Sequence, residues 1–204
     1  MKKRIGVLLS GRGSNFEALA DSVAAGRIRD AEIGLVLSNR EGAPGIERAH
    51  ARGLATRVIP SKGLEREAYD RQVVAALREA DVALVCLAGY MRLLSPYFVA
   101  AFPQRILNIH PSLLPSFPGL ESQKQALDYG LKFAGCTVHF VDQGVDSGPI
   151  IAQDTVPVLA GDTPATLHAR IQEAERRLYP RVIGALAAGR IEGKGRQTLW
   201  RDSD

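Results

Sequence analysis

The 204-residue chain alternates short apolar runs with stretches whose apolar positions recur at helical spacing. Ile5-Gly6-Val7-Leu8-Leu9 is apolar throughout and stops at Ser10-Gly11-Arg12-Gly13; from Ser14-Asn15 onward, Phe16, Leu19, Ala20 and Val23 mark one helical face. A short apolar run closed by glycines suits a strand buried on both sides, and the pattern after it suits a helix with one packed side. The same alternation predicts strands over 33–37 and 56–59, and helices over 45–51 and 65–79, the latter turning Ala68, Val73, Ala76 and Leu77 inward. The run 82–87 is the most apolar and is expected in the middle of a sheet. Residues 137–141 and 150–156 read as an antiparallel edge pair joined by a short loop that contains Asp146, and a long helix from 164 to about 186 closes the pattern.

Strands alternating with helices imply parallel βαβ units. The expected fold is therefore α/β, a doubly wound, Rossmann-like and mostly parallel sheet with an antiparallel edge, whose ligands lie beyond the carboxyl ends of the strands. One domain over 1–191 and a loose tail over 192–204 are expected, a size that can bury a substantial core.

A net charge of +4 and a pI near 9.3 favour anionic ligands. The basic residues are scattered and not interleaved with aromatic ones, so small anions are expected rather than nucleic acid. Cys86 and Cys136 each lie in an apolar run, as core thiols kept reduced in the cytoplasm do. Lys2, Lys3 and Arg4 precede an apolar run too short for a secretion signal, and no stretch reads as a membrane span.

The stretch richest in chemistry is Asn108-Ile109-His110-Pro111-Ser112-Leu113-Leu114-Pro115. Residues two apart on a strand share a face, and a residue before proline is biased toward extended backbone, so Asn108 and His110 should sit together at a strand end. Asp146 follows in Gly144-Val145-Asp146-Ser147-Gly148-Pro149. Singly, Asn108 and Asp146 suit turns and His110 a solvated loop. Together, amide, imidazole and carboxylate supply what acyl transfer to an amine needs: donors for an oxyanion and a route for protons. A metal held by His110, His139 and Asp146 is the competing reading, but no paired His or Cys spacing of a zinc site is present and His139 alternates with Val138 and Phe140 as strand residues do.

Gly11, Arg12, Gly13, Ser14 and Asn15 form either a plain strand-to-helix turn or an anion cradle, and they fall short of the full dinucleotide fingerprint. In Leu87-Ala88-Gly89-Tyr90-Met91-Arg92-Leu93-Leu94-Ser95-Pro96 the pattern predicts a helix start at Ser95-Pro96, with Met91 and Leu93 in the core. Gln172 and Glu175, three apart on the last helix, face one ligand if they face any.

Asn-x-His-Pro-Ser-Leu-Leu-Pro with the later Asp-x-Gly-Pro resembles the folate-dependent formyltransferases, in particular the branch that formylates glycinamide ribonucleotide. The likeness runs from residue 5 to about 191 and takes in Ser38-Asn39, Ala68-Tyr69-Asp70, Val138-His139-Phe140-Val141 and Leu178-Tyr179-Pro180. It implies transfer of the formyl group of 10-formyltetrahydrofolate, the cosubstrate, to the ribonucleotide amine in purine synthesis, with no metal. It further implies that Asn108 and protonated His110 stabilise the oxyanion, with Asp146 assisting proton transfer. By the same resemblance residues 11–15 hold the substrate phosphate, Gln172 and Glu175 lie near phosphate and ribose, and Arg66, Met91, Arg92, Leu93, Leu94, Asn108, Val141 and Asp146 line the folate site. Monomer and homodimer both remain open. After Pro118-Gly119-Leu120, where many members carry histidines, this chain reads Glu121-Ser122-Gln123-Lys124-Gln125, and no role is assigned to that loop.

The rivals are a formyltetrahydrofolate deformylase, which usually adds an amino-terminal regulatory domain, a methionyl-tRNA formyltransferase, which usually adds a carboxyl-terminal nucleic-acid module, and an inactive nucleotide-binding module. An intact Asn108, His110 and Asp146 set argues against the last.

Overall fold

The computed structural model describes residues 2–201. In chain order it runs β1 (Lys3–Leu9), α1 (Ser14–Ala24), β2 (Ala31–Ser38), α2 (Pro44–Ala51), β3 (Thr56–Val58), α3 (Arg66–Glu79), β4 (Leu84–Leu87) and α4 (Pro96–Ala101). Next come β5 (Ile106–His110), α5 (Ser122–Asp128), β6 (Phe133–Phe140), β7 (Ile150–Pro157), α6 (Pro164–Ala187), β8 (Ile191–Lys194) and β9 (Gln197–Trp200).

The main sheet has seven strands in the order β3-β2-β1-β4-β5-β6-β7. Its first five strands in this order are parallel, and β6 and β7 run antiparallel at the edge. β4 is the middle strand and all four of its residues are buried, as its unbroken apolar run predicts. The strand order reverses between β1 and β4, so the loops after these strands diverge and leave a crevice at their carboxyl ends.

The period of two along the strands divides the core. Ile5, Val7 and Leu9 of β1 pack on one face with Phe16 and Leu19 of α1 and Ile171, Leu178 and Val182 of α6. Leu8 faces the other way, among Tyr69, Val73 and Leu77 of α3 and Phe98 of α4. Side-chain caps start the helices where the pattern predicts: Glu65 accepts from the N–H groups of Glu67 and Ala68 at 2.8 and 3.0 Å, and Ser95 caps α4. The fully buried Tyr179 hydroxyl is shared between the carbonyls of Leu87 (2.9 Å) and Leu107 (3.1 Å), pinning β4 and β5 to α6 near the ends that carry the site.

The tail expectation is corrected over 192–201; residues 202–204 lie outside the described residues. β8 and β9 form a hairpin, and Thr198 Oγ1 and Trp200 Nε1 donate to the carbonyls of Ile150 and Ile151 at 2.9 and 3.0 Å. These bonds give edge-strand carbonyls of β7 partners that no neighbouring strand of the main sheet supplies. Ile191 packs in the core, and beyond it side-chain hydrogen bonds rather than an apolar face tie the hairpin down, so it escapes the hydrophobic pattern. β6 also starts earlier than residue 137, and Val141 lies just past its end.

Candidate active site

β5 delivers Asn108 and His110 to its carboxyl end, and its antiparallel register with β6 sets Asn108 opposite His139 and His110 opposite Thr137. Asp146 comes from the β6–β7 loop with a φ of 49°, a left-handed conformation that Asp tolerates better than most residues. Its Oδ2 lies 3.2 Å from His110 Nδ1 and accepts the Gly119 N–H at 2.9 Å. Its Oδ1 lies 3.3 Å from Asn108 Nδ2 and 3.6 Å from His139 Nε2. Burial alone would raise this carboxyl; the neighbouring His139 ring, the Gly119 N–H and the charge of His110 outweigh it and hold Asp146 below the usual carboxylate value.

Carbonyl oxygens only accept, so His110 Nε2 donates to the Phe117 carbonyl at 2.9 Å and carries a proton. Nδ1 can then donate to Asp146 only if the ring is doubly protonated, and a carbonyl on one side with a carboxylate on the other suits an imidazolium. His139 Nδ1 donates to the Phe140 carbonyl at 2.8 Å, which leaves Nε2 to accept from Asn108 Nδ2 at 3.2 Å. The Asn108 amide is thereby held between His139 and Asp146. His110, His139 and Asp146, weighed as metal ligands, do meet: His110 faces the Asp146 carboxylate directly and Asn108 bridges it to His139. Among the described residues no group of three or more His, Cys, Asp or Glu could hold a metal ion.

The crevice continues at the end of β1. Gly13 caps α1 with a φ of 77° and no side chain caps that helix, so its first-turn amides are open to an anion. A Cβ on Gly13 would come within 3.1 Å of Gly45 Cα, whereas one on Gly11 would meet nothing within 4 Å. Gly13 is thus a packing glycine and Gly11 faces open space. Asn15 Nδ2 donates to Glu175 Oε2 at 2.9 Å, joining this turn to α6, while the buried Asn15 Oδ1 has no partner. Burial pushes the Glu175 carboxyl up to about 7, against the opposing Asn15 bond. Gln172 lies half-buried one turn earlier on α6, and Arg12 is exposed.

Leu87 pairs with Asn108, so the chain leaving β4 passes beside the carboxylate cluster. Ser10 ties three loops together: its Oγ accepts the Met91 N–H at 2.8 Å and donates to Asn39 Oδ1 at 2.5 Å. The core expectation for Met91 and Leu93 is corrected, because these side chains are 57% and 53% exposed. Gly89 turns the chain with a φ of 72° and Asp70 Oδ2 anchors the Ser95 N–H at 2.6 Å, so the residues between span the surface. A cavity of about 590 Å³ opens between Met91 and Arg92 on one side and Asn39, Arg40, Ser61 and Lys62 on the other. The Arg92 guanidinium lies 4.4 Å over the Tyr69 ring. Arg66, Leu93, Leu94 and Val141 do not line this cavity: Arg66 is exposed on the first turn of α3, Leu94 is half-buried, and the Val141 N–H donates to the Ile106 carbonyl at 2.9 Å.

Residue patterns weighed His139 only as a metal ligand or strand residue and missed its contact with Asn108, the Phe117 carbonyl and the Gly119 N–H. The first becomes visible only once β5 and β6 are paired in register; the other two are backbone groups with no residue signature.

The formyl transferase family model matches residues 3–183. The chain is 49% identical over 197 residues to the trifunctional purine biosynthetic protein adenosine-3 of Drosophila pseudoobscura pseudoobscura, covering 93% of this chain and 14% of that much longer protein. It is 44% identical over 187 residues to the phosphoribosylglycinamide formyltransferase of Escherichia coli strain K12, covering 91% of this chain and 88% of the relative. Among solved structures it resembles glycinamide ribonucleotide transformylase 1 from Symbiobacterium toebii, with a TM-score of 0.96, 50% identity and coverage of 98% and 95%. A formyltetrahydrofolate deformylase from Pseudomonas syringae shares the fold at a TM-score of 0.93 and 26% identity, over 99% of this chain and 67% of that one. With its family model spanning most of its length and its like-sized relatives nearly half identical, the chain belongs to the formyl transferase family.

Proposed function

We propose that this chain transfers the formyl group of 10-formyltetrahydrofolate to the primary amine of glycinamide ribonucleotide, a step of purine synthesis, without a metal. The observation that carries the reading is the meeting of Asn108, His110 and Asp146 at the end of β5, in a member of this family. The ribonucleotide would place its phosphate on the amides after Gly11 and its ribose near Gln172 and Glu175. The folate would lie along residues 91–94, near Arg66 and Val141.

The amine attacks the formyl carbon and forms a C–N bond, and the carbonyl electron pair moves onto oxygen. Asn108 Nδ2 and His110 Nε2 are the donors within this cluster that suit that oxyanion. To reach it, His110 exchanges the Phe117 carbonyl, and Asn108 one of its two present acceptors, for the oxyanion while Asp146 keeps hold of His110 Nδ1. Collapse breaks the bond to N10 of the folate; the amine loses one proton and N10 gains one, with Asp146 and His110 organising the transfer.

Deformylation is the second reading, favoured by the shared fold with a deformylase. The turn at Gly11 and its Asn15–Glu175 link to α6 favour the transferase, since a hydrolase of folate alone needs no phosphate cradle. The test follows labelled formyl by mass spectrometry. Formylated ribonucleotide should accumulate in step with folate consumption and formate should be negligible without ribonucleotide, because a bound amine at high effective molarity outruns water. Rapid formate release regardless of ribonucleotide would overturn the transferase reading.

A further inference from the structure

The first turn of α5 makes a contact with α6 that the function above does not use. Gln123 Nε2 lies 2.9 Å from His168 Nδ1. An amide donor there makes Nδ1 the acceptor and leaves the ring proton on Nε2. His168, Gln172 and Glu175 recur at helical spacing on α6, and Glu175 already touches the Gly11 turn through Asn15. The free edge of the His168 ring therefore belongs to the helix face that meets this turn.

We propose that His168, oriented by Gln123, is a further binding residue for the substrate phosphate, donating from Nε2 opposite the first-turn amides of α1. The inference rests on the glycinamide ribonucleotide reading and adds a contact to it. Two observations support it besides the spacing. Burial and the positive charge of Arg12 both push the His168 imidazole down, and a bound anion would offset the second of these. The acid on the same helix face, Glu175, is itself pushed up to about 7 by burial and is engaged with Asn15, so it neutralises the pair poorly. At the same turn the buried Asn15 Oδ1 has no partner within the protein, as a residue waiting for a ligand hydroxyl would. Gln123 is a positioning residue: it holds the ring and sets its tautomer.

The test is a cycle between ligand and protein in the full chain. Calorimetry measures glycinamide ribonucleotide and the same compound without its phosphate, each on the parent and on His168→Ala. A hydrogen bond to a charged group predicts a loss of about ten-fold or more for the phosphorylated ligand. The dephosphorylated ligand should lose nothing, and folate affinity should be unchanged, which also reports an intact fold. Equal losses for both ligands, or none for either, would overturn the proposal. Nitrogen chemical shifts of the His168 ring during titration with inorganic phosphate read the same contact without the ribonucleotide: shifted resonances support it and unmoved ones at saturation sink it. A parent chain that ignores the ribonucleotide altogether would defeat the proposed function, while this phosphate titration still decides the role of His168. In Gln123→Leu the single-tautomer signature of His168 should disappear while folate binding stays, and a persistent Nε2–H tautomer would remove Gln123 from the scheme.

Discussion

Replacing Asp146 with Asn keeps the shape of the side chain and can keep an acceptor for the Gly119 N–H, but it removes the anion that faces His110 at 3.2 Å and His139 at 3.6 Å. The pair is well shielded, with side-chain exposures of 6% for His110 and 14% for Asp146. At this separation and an effective dielectric near 20, the direct attraction is about 5 kcal/mol, and part of it is offset because the neutral amide is easier to bury. About 3 kcal/mol of support for a charged His110 is therefore expected to vanish, on the order of 10²-fold in kcat. Steady-state rates with both substrates, with thermal unfolding as a check on the fold, measure this directly. The loss should fall on kcat and leave the KM for ribonucleotide within a few-fold, since Asp146 is assigned no contact with phosphate or ribose. An Asp146→Asn enzyme running within a few-fold of the parent, or one impaired only in KM, would refute the carboxylate–imidazole argument.

Gly11→Val should weaken ribonucleotide binding by about ten-fold or more and spare folate, because a side chain there enters open space before the first-turn amides rather than the core. Gly13→Val is the poorer probe: its φ of 77° and the nearby Gly45 backbone would strain the fold itself, so loss of both ligands is expected. Glu175 predicts a pH dependence of stability. Its carboxyl is raised in the folded chain from 4.5 to about 7, so its contribution is full below about 4.5 and is lost as pH rises through about 7, a change of about 3 kcal/mol. Urea unfolding from pH 4 to 8 should show that decline in the parent and a flatter profile in Glu175→Gln; parallel profiles would mean that Glu175 is not buried as described.

Most of the fold could be read from the chain because its information is local. Runs such as 82–87 are long enough to demand burial on both faces, and Ser95-Pro96 and Glu65 are start signals that work within a few residues of themselves. The order of elements then restricts the topology, since parallel strands joined by helices leave few ways to close a sheet. The errors fell where local pattern and tertiary context disagree. Met91 and Leu93 look like core residues by hydropathy, yet a glycine turn and one anchoring carboxylate keep them on the surface. The residues after 191 look loose because their hold on β7 is made of side-chain hydrogen bonds to carbonyls, which leave no apolar periodicity.

For the site, the order of difficulty follows the distance over which each contact must be inferred. Asn108 and His110 declare themselves together because a strand repeats every two residues. Asp146 joins them only through the resemblance, since nothing in a Gly-Val-Asp-Ser-Gly turn says which strand end it folds toward. His139 is harder still. Its strand pattern is correct, yet whether it faces Asn108 depends on the register of β5 against β6, and a slip of one residue would turn it to the opposite face. Gln123 and His168 lie at the far end of this scale, on two helices separated by the edge strands, and their meeting follows from packing alone. Such contacts can differ among members that share every motif. If the closure of α5 on α6 sets the position of the phosphate, replacing residues 121–125 with alanine should alter ribonucleotide affinity without touching Asn108, His110 or Asp146.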